Sequence, residues 1–161
     1  MIFAFTFYTG GINFTDIANL KRINIIESKL IYKRQKTGKL LRIPLQEKAL
    51  QLIEKYKNPD NSYLFPILFE RHSTEAQKKF RIKRVMREVN NSLKAIGKEL
   101  NLPLTITTYV ARHSQATIMK KAGVSTSVIK EIMGHSSEKV TQIYLDSFDN
   151  EQIDEAMKNL L

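Results

Sequence analysis

The stretch from residue 75 to residue 100 constrains the fold most, because its apolar residues recur at every third or fourth position. That spacing places seven apolar side chains on one face of a helix: Ile82, Val85, Met86, Val89, Leu93, Ile96 and Leu100. Lysines and arginines occupy the rest of the helix surface. Asn101-Leu102-Pro103 ends the helix. A helix of this length favours a largely helical fold.

Shorter helices are predicted on both sides of this long one. The first 20 residues indicate two helices separated by Gly10 and Gly11, with Thr15 or Asn13 as the candidate cap of the second. Another helix is predicted over residues 46–57. After Pro103, helical patterns recur at about 108–122, 125–133, 138–146 and 149–160.

Residues 23–45 have a different pattern, in which short apolar runs alternate with turn residues. We predict three strands over residues 23–26, 30–32 and 40–43, with a turn at Lys36-Thr37-Gly38 and an end at Pro44. The predicted fold is therefore mainly α with a small three-stranded antiparallel sheet, an α+β protein. At 161 residues it is expected to be one domain, residues 1–161.

The charge distribution favours a polyanionic partner. The net charge is +10; residues 29–42 hold six basic residues and no acid, whereas residues 138–161 hold six acids and two lysines. A solvated basic surface is the alternative explanation. The candidate contacts to a DNA backbone are Lys33, Arg34, Lys79, Lys83, Arg84 and Arg87.

Composition excludes several classes of protein. The chain has no cysteine, so it has neither disulfides nor thiolate metal sites. Its three histidines lack the spacing of metal ligands, and we expect neither a metal nor a cofactor. No apolar run approaches the roughly 20 residues of a membrane span, so a cytoplasmic location without membrane contact is expected.

Three residues near the C-terminus are the parts needed to break a phosphodiester with a tyrosine hydroxyl. Arg112 precedes His135 by 23 positions, and Tyr144 follows nine positions later. Arginine offers a planar fork to two phosphate oxygens and would neutralise charge that grows in the transition state. A phenol with a pKa of about 10 is barely ionised at neutral pH and needs a nearby cation or base. Alone, Tyr144 would more simply be a core residue of an amphipathic helix.

Four elements in order resemble the catalytic domain of the tyrosine recombinase (phage integrase) family. They are Arg112-His113-Ser114, Gly134-His135-Ser136-Ser137, Tyr144, and the Lys36-Thr37-Gly38 turn. The resemblance implies a DNA recombinase or integrase that cleaves and rejoins strands through a 3′-phosphotyrosine intermediate without a metal. The chain also resembles a subset of the family, the integrases of conjugative and mobile elements from gut anaerobes.

The resemblance also assigns roles to individual residues. Lys36 is the expected general acid for the leaving 5′-oxygen, with Lys39 as the competing candidate. His135 would bind a phosphate oxygen or help to take the tyrosine proton, and it could equally cap a helix. His113, one position after Arg112, points about 100° away on a helix and is expected to be structural.

Two positions depart from the family pattern. Asn13 stands where the family has its first catalytic arginine, and the acid expected three residues later is present as Asp16. Tyr109 stands where a histidine is usual, three residues before Arg112, and would either bind the phosphate or support Arg112. A catalytically silent DNA-binding module is therefore one alternative function. A type IB topoisomerase-like nicking and closing enzyme is the other.

The resemblance further implies a larger protein and an assembly. We expect the chain to be a fragment that lacks its first helix and an N-terminal DNA-clamping domain. Residues 138–161 are expected to carry the nucleophile and an acidic C-terminal helix. In the family this helix docks on a neighbouring subunit, so we expect a homotetramer on double-stranded DNA and a monomer without DNA. Packing of the tail on its own domain is the alternative.

Overall fold

A computed structural model of the chain describes residues 1–143, 145 and 146. Its helices are α1 (Ile2–Tyr8), α2 (Phe14–Asn19), α3 (Glu47–Lys55), α4 (Glu75–Glu99), α5 (Thr108–Lys121) and α6 (Thr126–Met133). Its strands are β1 (Ile25–Ile26), β2 (Lys29–Lys33) and β3 (Leu40–Pro44), which form one antiparallel sheet in that order. Residues 138–143 are also helical. The predicted helix at 149–160 lies outside the described residues.

The predicted fold class is confirmed, with one difference in the first strand. Ile23 is 80% exposed and belongs to a 3-10 turn, Arg22–Asn24, so β1 begins only at Ile25. The cause is Asn24, whose side chain accepts the Lys21 N–H and donates to the carbonyl of Ile31. These side-chain bonds compete with the sheet ladder at this point.

The buried side chains form two cores. The larger one joins α1, α2, the inner face of the sheet, α3 and residues 63–68, with Phe5 and Phe65 in edge-to-face contact at 4.7 Å. The smaller one joins α5 and α6 through Ala116, Met119, Ile129, Met133 and Leu145. Because α1 and β3 contact α5 and α6 respectively, residues between the two cores are held from both sides.

The long helix α4 contributes to the larger core mainly through its N-terminal half. Thr74 and Gln77 form a capping box at its start, and Ile82 is buried. Towards its C-terminus, Ile96 and Leu100 are 46% and 62% exposed. The predicted apolar face therefore exists but is only partly covered. No helix in the described part of the chain is long and apolar enough to cross a bilayer.

The β2–β3 hairpin presents an inner and an outer face. Lys33 pairs with Leu40, and the six-residue connection is closed by hydrogen bonds from Arg34 N to Lys39 O and from Gly38 N to Arg34 O, both 2.8 Å. Leu30 and Tyr32 are buried on the inner face. Since side chains alternate along a strand, the next inward position after Tyr32 is Arg34.

Candidate active site

Arg112 lies on the second turn of α5 and is only 4% exposed. Its Nη1 donates to the carbonyl of Gly11, and its Nη2 donates to the carbonyl of Met133 at 2.9 Å. Gly11 has a φ of +82°, and a Cβ there would lie 3.1 Å from Cγ of Arg112. The bare backbone therefore lets the arginine side chain pass close by and link the α1–α2 turn to the end of α6.

His135 is brought beside Arg112 by the left-handed turn that ends α6. Gly134 has a φ of +63°, and the backbone N–H of His135 donates to the carbonyl of Lys130 at 3.1 Å. The ring is 7% exposed, and its Nε2 lies 3.1 Å from Nη2 of Arg112. The backbone of His135 thus helps to cap α6 while its imidazole faces the arginine.

The partners of the His135 ring fix its tautomer. Because the arginine can only donate, Nε2 accepts, so Nδ1 carries the hydrogen and donates to Oγ1 of Thr141 at 2.9 Å. Burial, together with the charges of Arg112, Arg34 and Lys36, lowers the pKa of His135 to about 4. The imidazole is therefore neutral at pH 7.

Arg34 does not lie on the open surface of the hairpin, although the sequence grouped it with surface contacts to DNA. It is 7% exposed, and its Nη1 donates to the carbonyl of Gly134. Its Nε lies 3.9 Å from Oδ2 of Asp16, whose other oxygen accepts the Gln35 N–H at 2.8 Å. Burial raises the pKa of Asp16, against the opposing effects of the Gln35 bond and the guanidinium groups of Arg34 and Arg112.

The two candidate lysines of the hairpin lie in different surroundings. Lys39 forms an ion pair with Glu131 of α6, with 2.7 Å between Nζ and Oε2. Lys36 is exposed, and its charge is one of those that lower the pKa of His135. The charge of Lys36 thus acts on His135, whereas Lys39 is paired with Glu131.

The departures from the family pattern have identifiable local roles. Asn13 is the N-cap of α2, and its side-chain oxygen accepts the Thr15 N–H at 2.9 Å. Tyr109 is 51% exposed, and its ring packs edge-on against His113 with 4.2 Å between centroids. Burial and the charge of Arg112 lower the pKa of His113.

Further basic candidates lie on solvent-exposed surfaces. The residues concerned are Lys33 on β2 and Lys79, Lys83, Arg84 and Arg87 on α4. Arg84 forms an ion pair with Glu88 at 3.0 Å. Across residues 1–143, 145 and 146, no three histidine or carboxylate side chains are grouped closely enough to hold a metal ion.

Tyr144 lies outside the described residues. Its neighbours Thr141 and Leu145 are 0% and 1% exposed. The sequence pattern did not single out Thr141 as the partner of the His135 ring, because a threonine six positions after a histidine has no distinctive signal. The inward orientation of Arg34, by contrast, could have been read from the alternation of Leu30, Tyr32 and Arg34.

Known sequences that are similar to this chain are phage integrases and tyrosine recombinases. Residues 3–151 match the profile of the phage integrase family. The tyrosine recombinase XerA of Pyrococcus horikoshii is 34% identical over 141 residues, which cover 85% of this chain and 46% of that protein. A tyrosine recombinase of Thermosipho africanus is 28% identical over 153 residues, covering 94% and 50%. The chain spans about half the length of these curated relatives.

Solved structures share the fold. A crystal structure of XerA recombinase superposes with a TM-score of 0.64 at 25% identity, covering 93% of this chain and 54% of that one. The XerH recombinase bound to difH substrate gives a TM-score of 0.65 at 19% identity, covering 97% and 44%. The Tn1549 transposon integrase in complex with circular intermediate DNA gives 0.61 at 17% identity, covering 95% and 57%.

Proposed function

The chain belongs to the phage integrase family, and from this membership we propose that it carries out the strand transfer of a site-specific DNA recombinase. Its curated relatives are tyrosine recombinases. Two of the similar structures, XerH and the Tn1549 integrase, are complexes with DNA. These similarities, together with a net charge of +10, support double-stranded DNA as the partner.

The proposed reaction exchanges one phosphoester for another. The phenolic oxygen of Tyr144 attacks the scissile phosphorus, the bond from phosphorus to the 5′-oxygen breaks, and a 3′-phosphotyrosine forms. Lys36 gives a proton to the leaving 5′-oxygen, and the phenol proton passes to a nearby base or to water. Because the new bond retains the energy of the old one, the reverse attack by a 5′-hydroxyl rejoins the strand without a nucleotide cofactor.

The contact between Arg112 and His135 is the observation that carries this proposal. A buried guanidinium 3.1 Å from a neutral imidazole is suited to hold a phosphate, since it offers charge-assisted donors in a largely desolvated place. Once Arg112 turns towards a phosphate oxygen, Nε2 of His135 is released as an acceptor. The negative charge of the phosphate also raises the pKa of His135, which suits the imidazole to take the proton of Tyr144.

A covalent adduct on DNA tests the proposal. The purified protein is incubated with a pool of nicked duplexes of randomised sequence, and adducts that survive denaturation are isolated. Wild-type protein should form adducts and Tyr144→Phe should form none. Arg112→Ala should bind duplex DNA within a few-fold of wild type but lose adduct formation by about 10²–10³-fold.

Asn13 favours one competing function, a silent DNA-binding module, because this residue caps a helix and brings no positive charge to the site. Such a module would bind the duplex pool with a steep salt dependence and yield no adduct. If wild-type protein behaves in this way, the recombinase proposal is wrong. If adducts form but strands never transfer between two duplexes, a topoisomerase-like activity replaces it.

A further inference from the structure

Arg34 has an environment that a purely structural arginine does not explain. Its side chain is 9% exposed, yet its closest carboxylate oxygen is 3.9 Å from Nε, beyond hydrogen-bond distance. Nη1 donates to the carbonyl of Gly134. Among the residues that the structure describes, Nη2 of Arg34 has no hydrogen-bond partner. Because Nη2 is not among the polar atoms that are fully enclosed by protein, its donors are open to an anion that enters from solvent.

Arg34 and Arg112 hold two consecutive carbonyls at the end of α6. Arg112 donates to Met133, and Arg34 donates to Gly134, the residue directly before His135. The carbonyl end of a helix carries partial negative charge, which draws both guanidiniums to the same place. Burial raises the pKa of Asp16 and both guanidiniums oppose that rise, whereas burial and the same two guanidiniums lower the pKa of His135.

Among the residues that the structure describes, the charges around this point do not balance. Two guanidiniums meet one carboxylate, Asp16, while His135 is neutral and Lys36 adds further positive charge at the rim. Burial of uncompensated charge is unfavourable, so the cluster is arranged to receive an anion. We propose that Arg34 is the second phosphate-binding guanidinium of the site, acting with Arg112 on the non-bridging oxygens of the scissile phosphate. This inference rests on the proposed function for the identity of the anion, a DNA phosphodiester.

The position of Arg34 also explains how the site tolerates Asn13. The side-chain oxygen of Asn13 is used in capping α2, so α2 supplies no cation. Asp16 of the same helix instead receives the N–H of Gln35 and lies beside Arg34. The carboxylate thus holds the β2–β3 connection, which brings the guanidinium of Arg34 to the site.

The decisive experiment removes charge from Arg34 and, separately, from the scissile phosphate. On a duplex selected for wild-type adduct formation, Arg34→Gln should reduce the rate of adduct formation by about 10²–10³-fold, with duplex affinity changed only a few-fold. Arg34→Lys keeps the charge but not the fork and should recover part of the loss. A methylphosphonate at the scissile position lacks one non-bridging oxygen charge. On that substrate the gap between wild type and Arg34→Gln should shrink to within about ten-fold.

A merely structural role of Arg34 predicts a different result. If Arg34 only holds Gly134 in place, its loss impairs cleavage of the charged and the neutral substrate by the same factor, and that outcome overturns the proposal. Arg42→Gln is the matched control, because Arg42 is an exposed arginine on the outer face of the same hairpin. Its adduct rate should change only as much as its duplex affinity.

A second measurement separates this inference from the proposed function. Inorganic phosphate should raise the melting temperature of wild-type protein and of Tyr144→Phe, and Arg34→Gln should lose that increase while Arg42→Gln keeps it. If wild-type protein forms no adduct but the phosphate effect depends on Arg34, the recombinase proposal fails and the anion site stands. If the phosphate effect is the same in wild type and Arg34→Gln, the assignment of Arg34 is wrong.

Discussion

At the scale of single residues, the burial of His135 beside Arg112 links protonation to folding. The pKa of His135 is lowered to about 4 from an ordinary value of about 6.5. Between these two values the unfolded chain binds a proton at His135 and the folded chain does not. The folded state therefore loses stability as the pH falls from about 6.5 towards 4, and above pH 6.5 this contribution is constant.

This linkage predicts how His135→Gln behaves. Glutamine is neutral at every pH and can still accept from Arg112, so the variant lacks the titration. Between about pH 7 and pH 5, wild-type protein should lose roughly 1–2 kcal/mol more unfolding free energy than His135→Gln. Urea unfolding at the two pH values measures this difference, and contributions from other groups cancel in the comparison. Equal losses in both proteins would contradict the neutral, buried assignment of the imidazole.

The two hairpin lysines can be distinguished by the leaving group. Lys36→Ala should slow adduct formation by about 10²–10⁴-fold on an ordinary phosphodiester, because the 5′-alkoxide needs a proton. A 5′-bridging phosphorothiolate leaves as a thiolate of much lower pKa, so the same variant should recover most of the rate. Lys39→Ala, which breaks the ion pair with Glu131, is the matched control and should show no such recovery. If only Lys39→Ala recovers its rate on this substrate, Lys39 and not Lys36 is the proton donor.

The residues of the candidate site differ in how far the sequence can predict them. Arg112, His135 and Lys36 carry motif spacing, so the amino-acid order alone is enough to propose them. The charge pattern places Arg34 on the surface with its basic neighbours, although the two-residue alternation of the strand points it inward. Thr141 lies beside His135 because the chain turns at Ser136 and Ser137. No regular spacing in the sequence predicts that contact.

At the scale of elements, the end of α6 depends on a residue without a side chain. A Cβ on Gly134 would lie 2.8 Å from Cδ1 of Leu41 and 3.0 Å from Cδ of Arg34. The left-handed backbone there is also unfavourable for other residues. Glycine at this position therefore lets the hairpin side chains of Leu41 and Arg34 pack closely against the end of α6.

Gly134→Ala should for this reason cost more than backbone strain alone. Gly123 has a similar φ of +75°, but a Cβ there would meet nothing within 4 Å. Gly123→Ala should lower the unfolding free energy by about 1 kcal/mol, and Gly134→Ala should lower it by about 1–2 kcal/mol more. Chemical denaturation of both variants checks this. Equal losses would mean that the hairpin moves aside without cost.

The elements themselves follow from local patterns with two exceptions that have physical causes. Helix boundaries agree within a few residues because glycines and N-caps such as Ser125 mark them. The first strand is shorter than predicted because the side chain of Asn24 binds the backbone locally. The apolar face of α4 predicts a buried helix, but periodicity cannot tell which part of a face will be covered, and Ile96 and Leu100 stay exposed.

At the scale of the whole molecule, the site lies where the two cores meet. Arg112 comes from α5, Arg34 from the hairpin on the larger core, and His135 from the end of α6 on the smaller core. No local pattern reports this meeting, since the Arg34–Gly134 and Arg112–Gly11 bonds join residues about 100 positions apart. The motifs predict which residues matter, and only tertiary structure brings them together.

The charge of the whole molecule gives a last prediction, because binding to duplex DNA should follow counterion release. Each phosphate contact contributes about −0.9 to the slope of log K against log salt concentration. Neutralising the exposed Lys79, Lys83 and Arg87 of α4 with glutamine should therefore flatten the slope by about 2–3 if all three contact the duplex.

The matched control replaces Lys48, Lys55 and Lys57 of the α3 region with glutamine, which removes the same net charge from elsewhere. Titrations from about 50 to 200 mM salt measure both slopes. Equal flattening by the two triple variants would show that net charge alone, and not the α4 surface, drives the binding.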